Sequence, residues 1–249
     1  MINLYNIILY NPLLNALIFL YQYASFGDLG VAIIILTILI RFILLPLFYK
    51  SAKDQAILQR LQPRIKELQE THKDDREKQV KAMFELYREH KVSPFSGFLL
   101  MFAQLPVLIA LYQVFLKGLN SDSFVNLYSF ISRPDFINYQ FLGLIDLSHR
   151  SFLIIVLAAI AQYFQGKLSL AKNNKPTKEL TTIEAMGRQM IFIGPIMTIA
   201  FLSYLPAAVG LYWLTTSIFS VIQQIIINKR LQVSDEKLIE IDKELHHKK

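Results

Sequence analysis

The feature that most constrains this chain is a run of forty residues, 189–228, without a single Asp, Glu, Lys or Arg. About 20 apolar residues suffice to cross a bilayer as a helix, so this run is long enough for two crossings. At the other end, residues 1–40 carry one charge, Asp28. Charge is therefore both scarce and segregated. Only 18% of the 249 residues are charged, 53% are hydrophobic, and the mean hydropathy is +0.37. An average globular chain is about 25% charged. The pattern is that of an integral membrane protein.

Several classes of function drop out early. The chain has no cysteine, which excludes disulfides, thiolate catalysis, cysteine-based zinc sites and lipid attachment to a cysteine. Its histidines (72, 90, 149, 246 and 247) lie outside the apolar segments and show no metal-site spacing, so neither a metal nor another cofactor is expected. Residues 1–27 contain no Lys or Arg, so a signal peptide's basic start is missing. There is no Gly-rich phosphate loop, no paired carboxylate in an apolar segment, and no Ser–His or Ser–Lys pair at membrane depth. No catalytic residue is assigned, and the chain is expected not to be an enzyme.

The apolar segments predict an all-α membrane protein with five transmembrane helices, at 29–49, 95–116, 151–166, 189–205 and 207–228. Pro206 and Gly210 mark the turn between the last two. The third has only 16 residues between Arg150 and Lys167, about 24 Å at 1.5 Å per residue, and must extend into its flanks or sit where the bilayer is thin. Lys and Arg number eleven in 50–94, five in 167–188 and six in 229–249. They number three in 117–150 and none in 1–28. The positive-inside rule then places the N-terminus outside and the C-terminal tail, 229–249, in the cytoplasm. The net charge of +7 is thus a topology signal rather than a nucleic-acid footprint, and no direct nucleic-acid function is expected. Without the Arg/Ser-rich pattern of an organellar transit peptide, a bacterial inner or plasma membrane is the expected location, with 117–150 an extracytoplasmic loop and 167–188 a cytoplasmic one.

Residues 1–28 are expected to form an extracytoplasmic segment. Asn11-Pro12 resembles an N-cap followed by proline at the first helical position, and a helix over 12–23 would lie in the interface; the alternative for residues 2–27, uncharged throughout, is a sixth span. Residues 50–94 are expected to form a cytoplasmic antiparallel helical hairpin. Ile57, Leu61, Ile65 and Leu68 make one apolar stripe, Val80, Phe84 and Tyr87 another, with a polar break at 72–75. Asp74 with Glu77 looks like a capping box, and Pro63 should bend or interrupt the first helix.

Arg41 stands twelve residues into the first expected span, between Ile38-Leu39-Ile40 and Phe42-Ile43-Leu44. Arginine at mid-membrane costs about 2.5–3.5 kcal/mol on insertion scales, and such residues face protein or a water-filled cavity. Residue 41 is eight positions from Tyr49, about 12 Å of helix, too far for ordinary snorkelling. Uncharged polar residues accompany it: Gln104 in the second span, Gln162 and Gln165 in the third, and Thr215, Thr216, Ser217 and Gln223 in the last, beside Trp213. Each could serve only helix–helix hydrogen bonding, and Trp213 an aromatic belt. Together with Arg41 they suggest a hydrated groove.

The local sequences resemble those of the YidC/Oxa membrane-protein insertase family. Leu39-Ile40-Arg41-Phe42-Ile43-Leu44-Leu45-Pro46-Leu47 is similar to that family's arginine-and-proline stretch, and 59–68, with Leu61-Gln62-Pro63, to its hairpin helix. Ser93-Pro94-Phe95-Ser96-Gly97 followed by Gln104-Leu105-Pro106, and Gly210-Leu211-Tyr212-Trp213-Leu214-Thr215 followed by Gln223-Gln224, complete the pattern. The resemblance spans about residues 20–230. Phe98-Leu99-Leu100 departs from the usual Cys-Leu-Pro, and Thr216 stands where Asn or Ser is common. A short form, without a large periplasmic domain, is expected.

What the resemblance implies is an insertase and chaperone. It would move short hydrophilic segments of clients through an arginine-bearing groove and release their transmembrane segments into lipid. Implied partners are nascent membrane proteins and membrane lipids, with the Sec translocon and the ribosome as further candidates. The alternatives are a small-molecule or anion transporter, or a lipid scramblase, using the same groove.

Overall fold

The computed structural model describes residues 2–116, 123–169 and 182–247, and within them the protein is mostly helical. The chain divides into two compact units, residues 1–44 with 102–221 and residues 45–101 with 222–249.

In the first unit, α1 (Ile2–Tyr5) leads through a π-helical turn (Asn6–Tyr10) into α2 (Asn11–Tyr23). The expected N-cap at Asn11 is not there: its φ of −64° and ψ of −47° are helical, and its N–H donates to Asn6 O. The wide turn just ahead of Pro12 takes up the steric and hydrogen-bonding misfit that a proline introduces inside a helix. The buried residues Tyr10, Leu14, Leu17, Ile18 and Tyr21 recur every three or four positions, an apolar stripe packed against α3 (Leu29–Ile43).

α3 starts at Asp28, whose carboxylate accepts from Val31 N at 3.0 Å as an N-cap. The expected helix over 29–49 does not run unbroken. It ends at Ile43, and α4 (Leu45–Arg60) begins after Leu44. Pro46 explains the break, since it has no N–H to offer Phe42 O and its ring crowds that carbonyl.

Residues 123–150 are tied down by side chains of α2 and α3. Asn15, 2% exposed, donates to Asn126 O (3.0 Å) and accepts from Tyr128 N (2.6 Å). Gln22 donates to Ser132 O, Tyr21 Oη accepts from Asn138 N, and Asp28 accepts from Leu142 N. A small antiparallel hairpin, β1 (Gln140–Phe141) with β2 (Ile145–Asp146), pairs Gln140 with Asp146 and Phe141 with Ile145, an element the all-α expectation did not contain.

The remaining helices shift the expected boundaries. α7 covers Ser96–Leu116, with Pro106 inside it. α8 covers Phe152–Ser169, so the short third segment gains length past Lys167 and reaches about 27 Å at 1.5 Å per residue. α9 covers Thr182–Leu202, and α10, Ala207–His247, continues well beyond 228. The N–H groups of Ala207 and Ala208, orphans of the α10 start, donate to His149 O and Leu147 O. By length and composition, Phe152–Ser169 and Ala207–Arg230 can each cross a membrane, and the pair Leu29–Ile43 and Leu45–Leu58 adds a third if taken as one span. Phe102–Phe115 and Ile191–Leu202 are shorter apolar helices.

In the second unit, α5 (Gln62–Thr71) follows α4 after Leu61, with Pro63 in its first turn, and α6 covers Arg76–Glu89. The cap of α6 is Asp75, not Asp74: Asp75 Oδ1 accepts from Lys78 N at 3.0 Å. Gln79 Nε2 reaches back to Gln69 O at 3.0 Å, and Ile65 and Leu86 are buried. Asp54, buried on α4, accepts from Ser93 N.

Candidate functional site

The buried stripe of α3 changes character along its length. Leu29, Ala32, Ile33 and Leu36 are apolar; Thr37, Ile40 and Arg41 follow on the same face. Thr37 bonds its own helix, Oγ1 to Ile33 O at 2.6 Å. Arg41 is 5% exposed, so its charge sits inside the unit rather than reaching out to the surface.

α10 repeats the gradient in the same chain direction. Ala207, Ala208, Val209, Leu211 and Tyr212 are buried first, then Ser217 and Ser220. Phe42 and Phe219 meet edge to face at 5.6 Å, so the polar ends of the two stripes lie side by side. Tyr212 is buried within Coulombic range of Arg41.

The other helices contribute amides. Gln104 of α7 donates to Tyr212 Oη, and Trp213 Nε1 donates to Gln162 Oε1 of α8 at 2.9 Å. Gln162 also lies against Gly194 of α9, where a β-carbon would come 3.4 Å from Nε2. Phe201 packs on the Trp213 ring, with centroids 5.9 Å apart.

Of the predicted residues, Gln104 and Gln162 each reach α10, through separate bonds to Tyr212 and to Trp213. Thr215 and Thr216 are half-buried; Thr215 Oγ1 bonds Leu211 O, and Thr216 O accepts from Ser220 Oγ. Ser217 is buried. Gln165 is half-buried near the end of α8, and its carbonyl accepts from Ser169 Oγ. Gln223 belongs to the second unit; it is buried, and its carboxamide has no hydrogen-bond partner among the described residues. Gln104 Oε1 shares that condition. Buried amide atoms in this state are places for water or a polar ligand.

Tyr212 and Thr37 were absent from the predicted set. Thr37 stands four residues before Arg41, a spacing that could have flagged it. Nothing in the sequence ties Tyr212 to Gln104, because that bond spans 108 positions.

The second unit holds a cleft of about 670 Å³ beside α6, bounded by Lys81, Phe84, Arg88, Val92 and Phe95 among others. Its lining includes the rings of Phe84, Tyr87 and Phe95 and the charged side chains of Lys81, Glu85 and Arg88. No group of three or more His, Cys, Asp or Glu capable of holding a metal occurs among the described residues.

Residues 19–236 match the 60Kd inner membrane protein family. The chain belongs to that family, which is the YidC/Oxa family of the sequence resemblance. It is similar to the membrane protein insertase YidC of Francisella philomiragia subsp. philomiragia, 37% identical over 213 residues. It is 38% identical over 213 residues to the protein of that name from Francisella tularensis subsp. novicida. In both cases the match covers 85% of this chain and 34% of the relative, so the chain spans about a third of the length of the curated relatives it matches.

Proposed function

We propose that this protein is a membrane protein insertase. It crosses the bilayer five times with its N-terminus outside, and Arg41 with the surrounding Gln, Thr and Ser side chains lines a hydrated groove open toward the cytoplasm. The observation that carries this is the shared polarity gradient: the buried faces of α3 and α10 are apolar where residues 123–150 close over them and polar around Arg41, Ser217 and Ser220.

The physics of insertion needs such a gradient. Each unsatisfied polar group of a client's tail is expensive in hydrocarbon. Gln104 and the hydroxyl groups would keep that tail partly solvated. Arg41 would attract acidic client residues more strongly than in bulk water, because the local dielectric constant is lower. The apolar closed end stops the groove from becoming a pore. Client transmembrane segments would leave sideways into lipid, driven by apolar burial. The α5–α6 pair, acting as a cytoplasmic hairpin, and the cleft beside α6 are the proposed capture surface for emerging clients, with the ribosome or the Sec translocon as neighbours.

The test is insertion of a small client with an acidic N-tail by the purified protein in liposomes. Arg41→Lys should retain insertion. Arg41→Ala should lose it for the acidic tail but keep it for a neutral one. Deleting residues 62–89 should lower capture of both. Wild-type protein that is folded yet inert would overturn the insertase, and movement of labelled lipid or of a small anion instead would replace it with the scramblase or the transporter.

A further inference from the structure

Two tight turns in the first unit share an unusual choice of residue. Asp28 N donates to Ser25 O and Leu144 N to Phe141 O, both at 3.0 Å, and each turn holds two central residues at positive φ. These are Phe26 (54°) with Gly27 (77°), and Leu142 (51°) with Gly143 (69°). That is the backbone of a type I′ turn, whose first central position favours Asn, Asp or Gly. Here it carries phenylalanine and leucine, which local conformation disfavours. Both side chains point away from the protein, Phe26 103% and Leu142 63% exposed, and so does Leu144 at the end of the second turn, 84% exposed.

The two turns are neighbours in space, because Leu142 N donates to Asp28 Oδ2 at 2.7 Å. Asp28 also caps α3, so both apolar tips sit level with the first turn of that helix. We propose that Phe26 and Leu142 form a wedge that enters the headgroup–acyl boundary of the leaflet at the α3 N-terminus. This rests on the reading that α3 belongs to a span.

Lipid is the occupant the surface fits. Residues 1–27 and 136–145 contain no Asp, Glu, Lys or Arg, and the carboxylate between the two turns, Asp28, is taken up by Val31 N and Leu142 N, which leaves an apolar tip of the kind that enters a membrane surface. Tyr23, exposed at the end of α2 with its ring tilted against Phe19 at 4.9 Å, adds the aromatic character of a membrane interface.

The absence of cysteine makes the test clean. Single substitutions Phe26→Cys, Leu142→Cys and Leu144→Cys would carry an environment-sensitive NBD fluorophore. The full chain would be reconstituted in vesicles of phosphatidylethanolamine and phosphatidylglycerol, with a nitroxide lipid quencher at a shallow acyl position. Ser148→Cys serves as the aqueous reference and Leu157→Cys, on α8, as the span reference. The expected result is blue-shifted emission at 26, 142 and 144, quenched several-fold more than at 148. Leu144, which sits outside the positive-φ positions, keeps the test decisive should the other two variants misfold. Water-like emission at all three sites with Leu157 quenched would overturn the wedge alone. Water-like emission at Leu157 as well would overturn the span reading and the wedge with it.

Discussion

Single polar side chains hold the long segment 123–150 in place. Asn15 uses its carbonyl and its amide on two backbone groups of that segment, and Asp28 serves the α3 N-terminus and Leu142 N together. Removing Asp28 (Asp28→Ala) strips both, and a lost cap alone costs about 0.5–2 kcal/mol. A lower melting temperature in nanodiscs, with faster proteolysis within 123–150, is the expected outcome. Trp213 and Gln162 make a comparable link between α10 and α8. Trp213→Phe leaves Gln162 Oε1 without its donor, a loss of about 1–3 kcal/mol, and Gln162→Leu in the same chain should recover part of it in a double-mutant cycle. Packing is equally exacting at Gly210, where a β-carbon would lie 2.9 Å from Ile154 Cγ2. Gly210→Ala should cost about 1–3 kcal/mol by overpacking, and Ile154→Ala, which removes the opposing Cγ2, should relieve part of it in a double-mutant cycle read from thermal melts.

Among the elements, helix ends carry most of the information. Prolines 12, 46 and 63 each mark a turn where the helix widens, breaks or restarts. The start of α6 depends on a titratable cap. The backbone N–H and the ammonium of Lys78 hold the Asp75 carboxyl below the usual carboxylate range. A depressed folded value means the cap's contribution is fully present above the ordinary Asp value of about 3.9 and is lost as pH falls through the folded value. Protection of the Glu77 and Lys78 amides, taken relative to their intrinsic exchange rate at each pH, should therefore fall on acidification below that range. Asp75→Asn should abolish the pH dependence. The same sign holds for Asp146, lowered by its bonds from Ser148 and His149, at the β-hairpin end of segment 123–150.

For the whole molecule, the positive-inside argument makes a direct prediction. In intact cells, a membrane-impermeant maleimide should label Ser148→Cys from outside. Lys66→Cys should react only after the membrane is opened. Labelling of both from one side would refute five alternating spans. The polarity gradient of α3 and α10 gives that orientation a purpose, since the end expected outside is the one closed by backbone bonds from Ala207 and Ala208 to residues 147 and 149.

The membrane class, the mostly helical architecture and the family were all legible in the sequence, because they follow from where charge is missing and from local motifs around Arg41, Pro63, Gln104 and Gly210-Leu211-Tyr212-Trp213. The candidate polar residues could be picked out for the same reason: polar residues in apolar runs stand out by composition alone. What the sequence could not supply were partnerships across the chain. Gln104 with Tyr212 and Gln162 with Trp213 are separated by 108 and 51 positions. The anchoring of 123–150 by Asn15 and Asp28 spans more than a hundred. Helix periodicity reports which face of a segment is apolar, but not which neighbour covers it. Local signals also misplaced the caps at Asn11 and Asp74, where the true ends depend on a π-helical turn and on a one-residue choice of turn. Composition therefore decided that the chain enters a membrane, and tertiary packing alone decided that Gln104 of α7 meets Tyr212 and Gln162 of α8 meets Trp213. Long-range contacts are selected by the summed fit of all the helices, and no single segment carries that sum.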